Sequence, residues 1–258
     1  MTISGAEITA WVGSILWPLF RIGAMVMAAP VFGAQAVPAR VRVVLALAIT
    51  AVTVPLLPPM PAVEVFSPRA VLIVVQQVLI GAAMGFAVQM VFSAVITGGQ
   101  VVAMQMALGF SLMIDPQNGA QTPVLSQLYV MLVILVYLAV DGHLVLIDVL
   151  VQSFRVLPVA PEGLAAGDLW RLVGWGAFIF SGAVGIALPA IASLLVVNFA
   201  FGIMTRAAPQ LNIFAVGFPM TMILGFAVIL ATLPGVAPRA VAMLQGVFGL
   251  LRTMGQAG

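Results

Sequence analysis

The sequence contains no cysteine, no lysine and very little charge of either sign. Without cysteine the chain cannot form disulfides or thiolate metal sites, and it has no cysteine nucleophile. Only 6% of its residues are charged, whereas about 25% is typical of soluble domains. This scarcity excludes an ordinary soluble enzyme, a disordered chain and a coiled coil. The net charge of +2 rests on so few ions that it indicates no nucleic-acid partner.

The sequence is instead rich in hydrophobic residues. They make up 64% of the 258 residues. Because a membrane-spanning helix needs about 20 of them, the chain could fill at most about eight spans. The apolar runs are long and continuous, unlike the short alternating segments of a membrane barrel. The sequence therefore predicts an all-α, polytopic membrane protein.

The hydrophobic stretches divide into about six helical runs plus short broken helices. No repeat or shift in composition divides the chain, so we expect a single membrane domain over residues 1–258. The first run has no basic residue before it, which favours mature structure over a signal peptide. The six runs cover residues 8–29, 43–57, 70–96, 123–140, 169–197 and 213–233, and two shorter pieces cover 100–114 and 144–151.

Glycine and proline set the expected breaks between and within these runs. We expect Gly98–Gly99 to interrupt the third run and Pro189 to kink the fifth. A polar break is expected over residues 198–212, and a tail carrying Arg239 and Arg252 after the last run.

The arginines give no consistent orientation in the membrane. A cytoplasmic position for Arg40 and Arg42, as the charge rule requires, places Arg239 and Arg252 outside. This conflict suggests that the helices do not cross the bilayer one by one, and the orientation stays open.

Several polar residues lie inside the apolar runs. Arg21 costs about 2.5–3.5 kcal/mol at the centre of a membrane helix, so it either snorkels from near a helix end or faces a partner helix or wet lumen, and we favour the second. Gln76 and Gln77 are adjacent and point about 100° apart on a helix, which requires partners on two sides. Gly81 and Gly85, four residues apart, allow close approach of another helix.

Asp141, His143 and Asp148 are the strongest candidates for an acid–base or metal cluster. The chain has one histidine, so a metal site here lacks enough ligands. There is no Gly-x-Ser-Gly stretch and no glycine-rich phosphate loop after a strand. We therefore predict no catalysis, no metal and no cofactor, and interpret His143 as a polar helix-end residue.

Met104, Met106 and Met113 flank two expected breaks, at Gly109 and at Asp115–Pro116. Methionine is flexible and adapts to irregular surfaces. These side chains either fill a core or form a deformable seal along a passage. Irregular backbone at membrane depth is tolerated only inside protein or beside a cavity, so the second interpretation stays open.

The same stretches resemble the FliR family of flagellar type III export-gate subunits, in an order that extends over most of the chain. The matching pieces are Arg21-Ile-Gly-Ala, Ala29-Pro30-Val-Phe-Gly33, Val37-Pro38, Arg40, Gln76-Gln77-Val-Leu-Ile-Gly81, Gly85-Phe86, Gly99-Gln100, Gln105-Met106, Asp115-Pro116, Pro123-Val-Leu, Gly142-His143, Ser153-Phe154, Leu157-Pro158, Asn198, Arg206-Ala-Ala-Pro209-Gln210-Leu-Asn212-Ile-Phe214 and Gly217-Phe218-Pro219.

The resemblance implies a non-enzymatic structural subunit in the bacterial inner membrane, at the flagellar basal body. It implies assembly with the sister subunits FliP and FliQ into a channel, with FlhB and FlhA completing the gate and unfolded flagellar proteins as cargo. In the family the channel is raised toward the periplasm, which would account for the inconsistent charge rule.

The resemblance also assigns two sets of site residues. The family's channel plug corresponds to residues 109–122, and the candidate plug residues are Met104, Met106, Gly109, Phe110, Met113, Asp115, Pro116 and Gly119. The candidates for contacts with partners or between helices are Arg21, Gln76, Gln77, Gly81, Gly85, Asn198, Arg206, Pro209, Gln210, Asn212, Phe218 and Pro219.

Two alternatives remain at this point. The homologous subunit of virulence injectisomes shares the Pro-Gln-Leu-Asn and Gly-Phe-Pro pieces, although the Gln-Gln-x-Leu-Ile-Gly piece is more typical of the flagellar proteins. A secondary transporter of small solutes would also have broken helices and buried polar groups. Such transporters usually show two related halves and paired acids, and the sequence shows neither.

Overall fold

The computed structural model describes residues 5–34, 36–61, 63–64, 66–108, 124–207 and 217–255. These residues form α-helices joined by turns, and the described part of the chain contains no strand. The helices are α1 (Gly5–Ala28), α2 (Ala39–Thr53), α3 (Pro68–Gln105), α4 (Val124–Ala139), α5 (Gly142–Val156), α6 (Ala166–Gly174), α7 (Ala177–Ala207), α8 (Phe218–Thr232) and α9 (Val236–Thr253). The predicted all-α class is confirmed.

The number of segments that can cross a membrane agrees with the hydrophobic runs. Five described segments are long and apolar enough, and a sixth is present if α4 and α5 count as one broken span. The five are Trp11–Ala28, Ala39–Leu56, Pro68–Gln105, Ala166–Ala207 and Pro219–Thr253.

Local chemistry explains several helix ends. Ser67 precedes α3, and its hydroxyl accepts the backbone N–H of Ala70 at 3.2 Å, as serine commonly does at a helix start. Pro68 occupies the first helical position, where its missing N–H costs nothing. Arg42 fixes the turn before α2, because its guanidinium donates to the carbonyls of Val37 at 3.0 Å and Ala34 at 2.8 Å.

The chain folds as two compact units. The first comprises Met1–Met90, Asp141–Gly176 and Leu244–Gly258. In it α1 packs against α2, and the largest buried side chains are Trp17, Arg21, Ile22, Met25, Ile73, Ile80, Leu146, Leu150 and Phe154.

The second unit comprises Val91–Val140 and Ala177–Met243. In it α7 packs against α8, and Phe92 meets Tyr137 edge to face, with ring centroids 5.8 Å apart. Met106 is fully buried at Gly225 of α8, where a Cβ would lie 2.6 Å from the Met106 Cε.

The predicted interruption at Gly98–Gly99 is wrong, because α3 continues through both glycines to Gln105. A Cβ at Gly99 would lie 2.8 Å from the Cα of Ser126, and one at Gly98 would lie 3.0 Å from the carbonyl oxygen of Ala183. The missing side chains therefore admit neighbouring helices. That packing offsets the helix-propensity cost of glycine, about 1 kcal/mol per residue.

Three further expectations near the C-terminus are corrected. The run 169–197 is divided at Trp175–Gly176, where the Gly176 N–H turns back to the Val173 carbonyl at 2.8 Å. The break expected from residue 198 begins later, because α7 extends to Ala207 and includes Asn198. The stretch carrying Arg239 and Arg252 is a helix rather than a tail, with apolar residues such as Leu244 and Val247 on its buried face.

Candidate functional site

Arg21 lies at the centre of the first unit and is fully buried. Its Nε donates to the Oε1 of Gln77 at 2.8 Å. Its two terminal nitrogens donate to the hydroxyl of Ser153 at 3.0 Å and to the backbone carbonyl of Leu157 at 2.8 Å. One guanidinium therefore joins α1 to α3 and to the end of α5.

An aromatic ring completes this set. The guanidinium carbon of Arg21 lies 4.0 Å from the centroid of the Phe154 ring, a distance at which the ring quadrupole attracts a cation. We call Arg21, Gln77, Ser153, Phe154 and Leu157 the Arg21 cluster. The three acceptors named above are neutral oxygens. The cation is therefore held by these hydrogen bonds, by the Phe154 ring and by the carbonyl end of α5, where positive charge is favourable.

The burial of Arg21 decides between the two interpretations of this residue. A snorkelling side chain would reach solvent, and Arg21 does not, so that interpretation is wrong. The partner helices that it faces belong to the same chain. Three hydrogen bonds offset the free-energy cost of burying the charge. Each is stronger with a charged donor than it would be with a neutral one.

The two glutamines face different neighbours, as their positions on the helix require. Gln77 is fully buried against Arg21. Gln76 lies against Gly163, where a Cβ would overlap the Gln76 side-chain oxygen. Within the described residues the Oε1 of Gln76 and the Nε2 of Gln77 have no hydrogen-bond partner. The two sides of α3 are therefore both covered within the first unit.

Gly81 and Gly85 let α3 approach α1 closely. A Cβ at Gly81 would overlap the backbone carbonyl oxygen of Arg21, and one at Gly85 would lie 2.7 Å from the backbone nitrogen of Ala29. This contact fixes the height of α1 against α3, and it brings the Arg21 side chain level with Gln77, one turn away from Gly81.

Ser153, Phe154 and Leu157 were not among the predicted site residues, although they stand in pieces that carried the family resemblance. Arginine has five N–H donors, so a buried arginine signals that several acceptors lie nearby. That signal predicts acceptors without identifying them, because Ser153 lies 132 residues from Arg21 in the sequence.

The candidate plug residues are only partly described. Met104 is 68% exposed and Met106 is fully buried, so the two methionines have different surroundings. Ala107, just after α3, has a positive φ of 62°, which ends the helix. The remaining candidates, Gly109, Phe110, Met113, Asp115, Pro116 and Gly119, lie outside the described residues.

The candidates toward the C-terminus lie on an outer surface where they are described. Asn198 and Arg206 are exposed on α7, and Pro219 is exposed on α8. Phe218 begins α8. Pro209, Gln210 and Asn212 lie outside the described residues. None of those that are described joins the Arg21 cluster.

The acid–base interpretation of Asp141, His143 and Asp148 gains no support from the geometry. Asp141 has a left-handed backbone (φ 55°) between α4 and α5, a conformation that Asp tolerates. Asp148 accepts a hydrogen bond from the amide of Gln152 at 2.7 Å. Over the described ranges, no group of three or more metal-binding side chains comes together.

These observations define a class: a polytopic helical membrane protein whose buried polar residues join helices. The comparisons with known proteins identify the family within that class. The sequence matches the bacterial export proteins, family 1, over residues 12–247, and the chain belongs to this family.

Individual relatives cover nearly the whole chain. The chain is similar to the flagellar biosynthetic protein FliR of Escherichia coli (strain K12), with 38% identity over 97% of this chain and 96% of that one. It is 36% identical to FliR of Pectobacterium carotovorum subsp. carotovorum over the same shares of the two chains. With FliR of Bacillus subtilis (strain 168), the identity is 30% over 82% of this chain and 84% of the relative. The chain is thus a membrane component of flagellar protein export.

Proposed function

We propose that this chain is a structural, non-enzymatic subunit of the flagellar type III export gate in the bacterial inner membrane. The observation that carries the proposal is the Arg21 cluster in a chain that resembles FliR over nearly its full length. The charge of Arg21 is used up in contacts that join three helices. A solute transporter would be expected to leave such a charge available to its substrate.

The proposal includes assembly with the sister subunits FliP and FliQ, and with FlhB and FlhA. An exposed stripe on α7 supports a protein neighbour there. Phe199 is 72% exposed and Ile203 is 55% exposed, and the polar Asn198 and Arg206 lie among them. Lipid would match the apolar residues alone, whereas a protein surface can match both kinds.

We further propose that residues 109–122 plug the channel at rest. This proposal rests on the resemblance to the family, on the glycines and the Asp115–Pro116 step in the sequence, and on the adaptability of methionine. The buried contact of Met106 with Gly225 supports it, because that contact anchors the chain just before the proposed plug. Unfolded flagellar proteins would displace the segment as they pass.

A deletion strain tests the proposed function. The gene is deleted in its own bacterium and replaced by a tagged copy, and two properties are measured: flagellar filament protein in the culture medium, and proteins that copurify with the tag. We expect the deletion to stop export, and the tagged copy to restore it and to purify with FliP and FliQ.

The same experiment distinguishes the alternatives. Wild-type export in the deletion strain would contradict the proposal, and purification of the chain alone or as a homo-oligomer would favour a transporter. Loss of a virulence export system with normal flagella would assign the chain to an injectisome. The flagellar names of the relatives described above favour the first outcome.

A further inference from the structure

The C-terminal half of α7 is exposed on nearly every side. One line of residues, spaced four apart, is half-buried: Ser193, Val197, Phe201 and Thr205. All other residues from Leu195 to Ala207 are exposed, over a length of about 20 Å at 1.5 Å per residue. Because α7 belongs to a segment that is long and apolar enough to cross a membrane, this surface is covered by lipid or by another protein.

Two polar side chains lie on the exposed side of this stretch. Asn198 and Arg206 follow each other at an interval of two helical turns, with Gly202 midway between them, so the three residues share one face of the helix. In the part of the chain that the structure describes, neither Asn198 nor Arg206 forms a side-chain hydrogen bond or ion pair. A Cβ at Gly202 would meet no atom within 4 Å. The face therefore combines polar groups that lack partners with room for a close neighbour.

Lipid matches only part of this face. A phospholipid headgroup would pair with Arg206, but its acyl chains would then lie along Asn198, which is about 12 Å away along the helix axis. Hydrocarbon forms no hydrogen bond with an amide, and a polar group that is buried without a partner is costly. A helix of another protein can supply hydrogen-bonding side chains at both levels.

The neighbour has to supply a negative charge that this chain does not place there. In the sequence of the second unit the sole acidic residue is Asp115, which lies outside the described residues. Two copies of the chain with the same orientation in the membrane would bring their Arg206 side chains together if they paired through this face, and like charges repel. A different protein is therefore the better match.

We propose that the face of Asn198, Gly202 and Arg206 binds a membrane helix of another gate subunit, and that this helix presents a carboxylate to Arg206. The inference rests on the proposed function, because it takes the partner to be a component of the export gate. The partner backbone approaches closely at Gly202, as small residues permit between membrane helices. Arg206 pairs with the carboxylate through charge-assisted hydrogen bonds, and the Asn198 amide bonds to a polar group of the same helix.

Photocrosslinking in the bacterium tests which molecule covers the face. The photoreactive amino acid p-benzoylphenylalanine replaces Phe199, an exposed aromatic residue three positions before Gly202 on the same side of α7. In a control chain it replaces Met204, which is exposed on another side of the helix. The tagged products are separated by size after irradiation, and mass spectrometry identifies the attached protein. We expect a crosslink from position 199 to a subunit that copurifies with the chain, and no such crosslink from position 204.

Charge reversal tests the ion pair. Arg206→Glu should lower copurification of the crosslinked subunit at least about tenfold, because unpairing a charge within an interface weakens binding by more than this factor. Arg239→Glu is the matched control, since Arg239 is also an exposed arginine of the second unit, and it should leave copurification unchanged. Replacing the acidic residue of the crosslinked partner segment by arginine should restore copurification with Arg206→Glu.

A further variant separates partner binding from folding. Gly202→Leu adds a side chain where the chain itself leaves open space, and leucine favours a helix more than glycine does. The purified chain should therefore keep its melting temperature, while copurification of the partner falls. Ala200→Leu adds the same side chain at an exposed position on another side of α7 and should change neither property.

Several results would overturn this inference. These are a crosslink from position 199 to lipid alone or to a second copy of the chain, wild-type copurification in Arg206→Glu, or no restoration by the reversed charge on the partner. Each of them leaves the proposed function intact as long as the unmodified chain restores export and copurifies with the gate subunits. If the unmodified chain does neither, the proposed function fails together with the inference.

Discussion

Arg21 and Gln77 form a hydrogen bond of 2.8 Å between Nε and Oε1, 56 residues apart in the sequence and fully buried. Each residue is costly by itself in an apolar interior, because a buried polar group without a partner loses its hydration. The hydrogen bond between them replaces part of the hydration that each side chain loses on burial. The pair fixes the position of α1 relative to α3. The hydrogen bonds of Arg21 to Ser153 and Leu157 fix the end of α5 in the same way.

The first prediction concerns the centre of this cluster. Arg21→Leu removes the donor from three acceptors, of which Gln77 and Leu157 are buried and Ser153 is half-buried, and each buried unsatisfied group costs about 1–3 kcal/mol. We expect the variant to reach the membrane in normal amounts but to lose assembly with its export partners and motility. Membrane fractionation and copurification measure the two properties separately. Arg21→Lys keeps the charge but not the planar fork, so it should restore assembly only in part. Normal motility with an intact complex in Arg21→Leu would contradict this role.

The two glutamines provide a matched pair. Gln77→Leu removes an acceptor of Arg21 and should lower the free energy of unfolding by about 1–3 kcal/mol. Gln76→Leu should leave it unchanged or raise it, because the Oε1 of Gln76 has no partner among the described residues. Thermal unfolding of the two purified variants in the same detergent gives the comparison. Equal melting temperatures would show that the Arg21–Gln77 bond contributes nothing measurable.

The third prediction concerns the close approach of α1 and α3. Gly81→Ala places a methyl group on the backbone carbonyl oxygen of Arg21, which cannot move without shifting α1. We expect a loss of about 1–3 kcal/mol, typical of overpacking, and weaker assembly. Gly23→Ala is the control, because no atom lies within 4 Å of a Cβ there. It should stabilise α1 by about 0.5–1 kcal/mol. If both variants behave alike, the contact is not tight.

The fourth prediction follows from the proposed plug. A channel wide enough for an unfolded protein would dissipate the ion gradient unless something filled it at rest. Deleting residues 111–118 should therefore leave the complex assembled but let small dyes and ions enter cells that express the partner subunits. Dye entry is measured beside a deletion of Pro58–Pro61, a proline-rich loop of the first unit that the resemblance does not place in the channel. An assembled complex that excludes dye after the 111–118 deletion would refute the plug.

The class of the protein could be predicted from the sequence because it depends on the hydrophobicity and length of each apolar run, which can be summed along the chain. About six long apolar runs indicate a polytopic membrane protein wherever they pack, and the described helices include five or six segments that are long and apolar enough to span. The importance of Arg21 and Gln77 was also predictable, since the cost of a polar group in an apolar run does not depend on the details of the fold.

The sequence determined the helical membrane class, the approximate spans and the residues that need partners. Only the tertiary structure decided which partners they have. It also decided that Gly98–Gly99 stays helical and that the chain turns at Trp175–Gly176 instead. The physical reason is the difference in sequence separation between the two kinds of interaction. Hydrophobicity and propensity are local, whereas the acceptor for Arg21 on α5 and the helix that fills the space beside Gly99 lie far along the chain. Their contacts outweigh a local preference of about 1 kcal/mol.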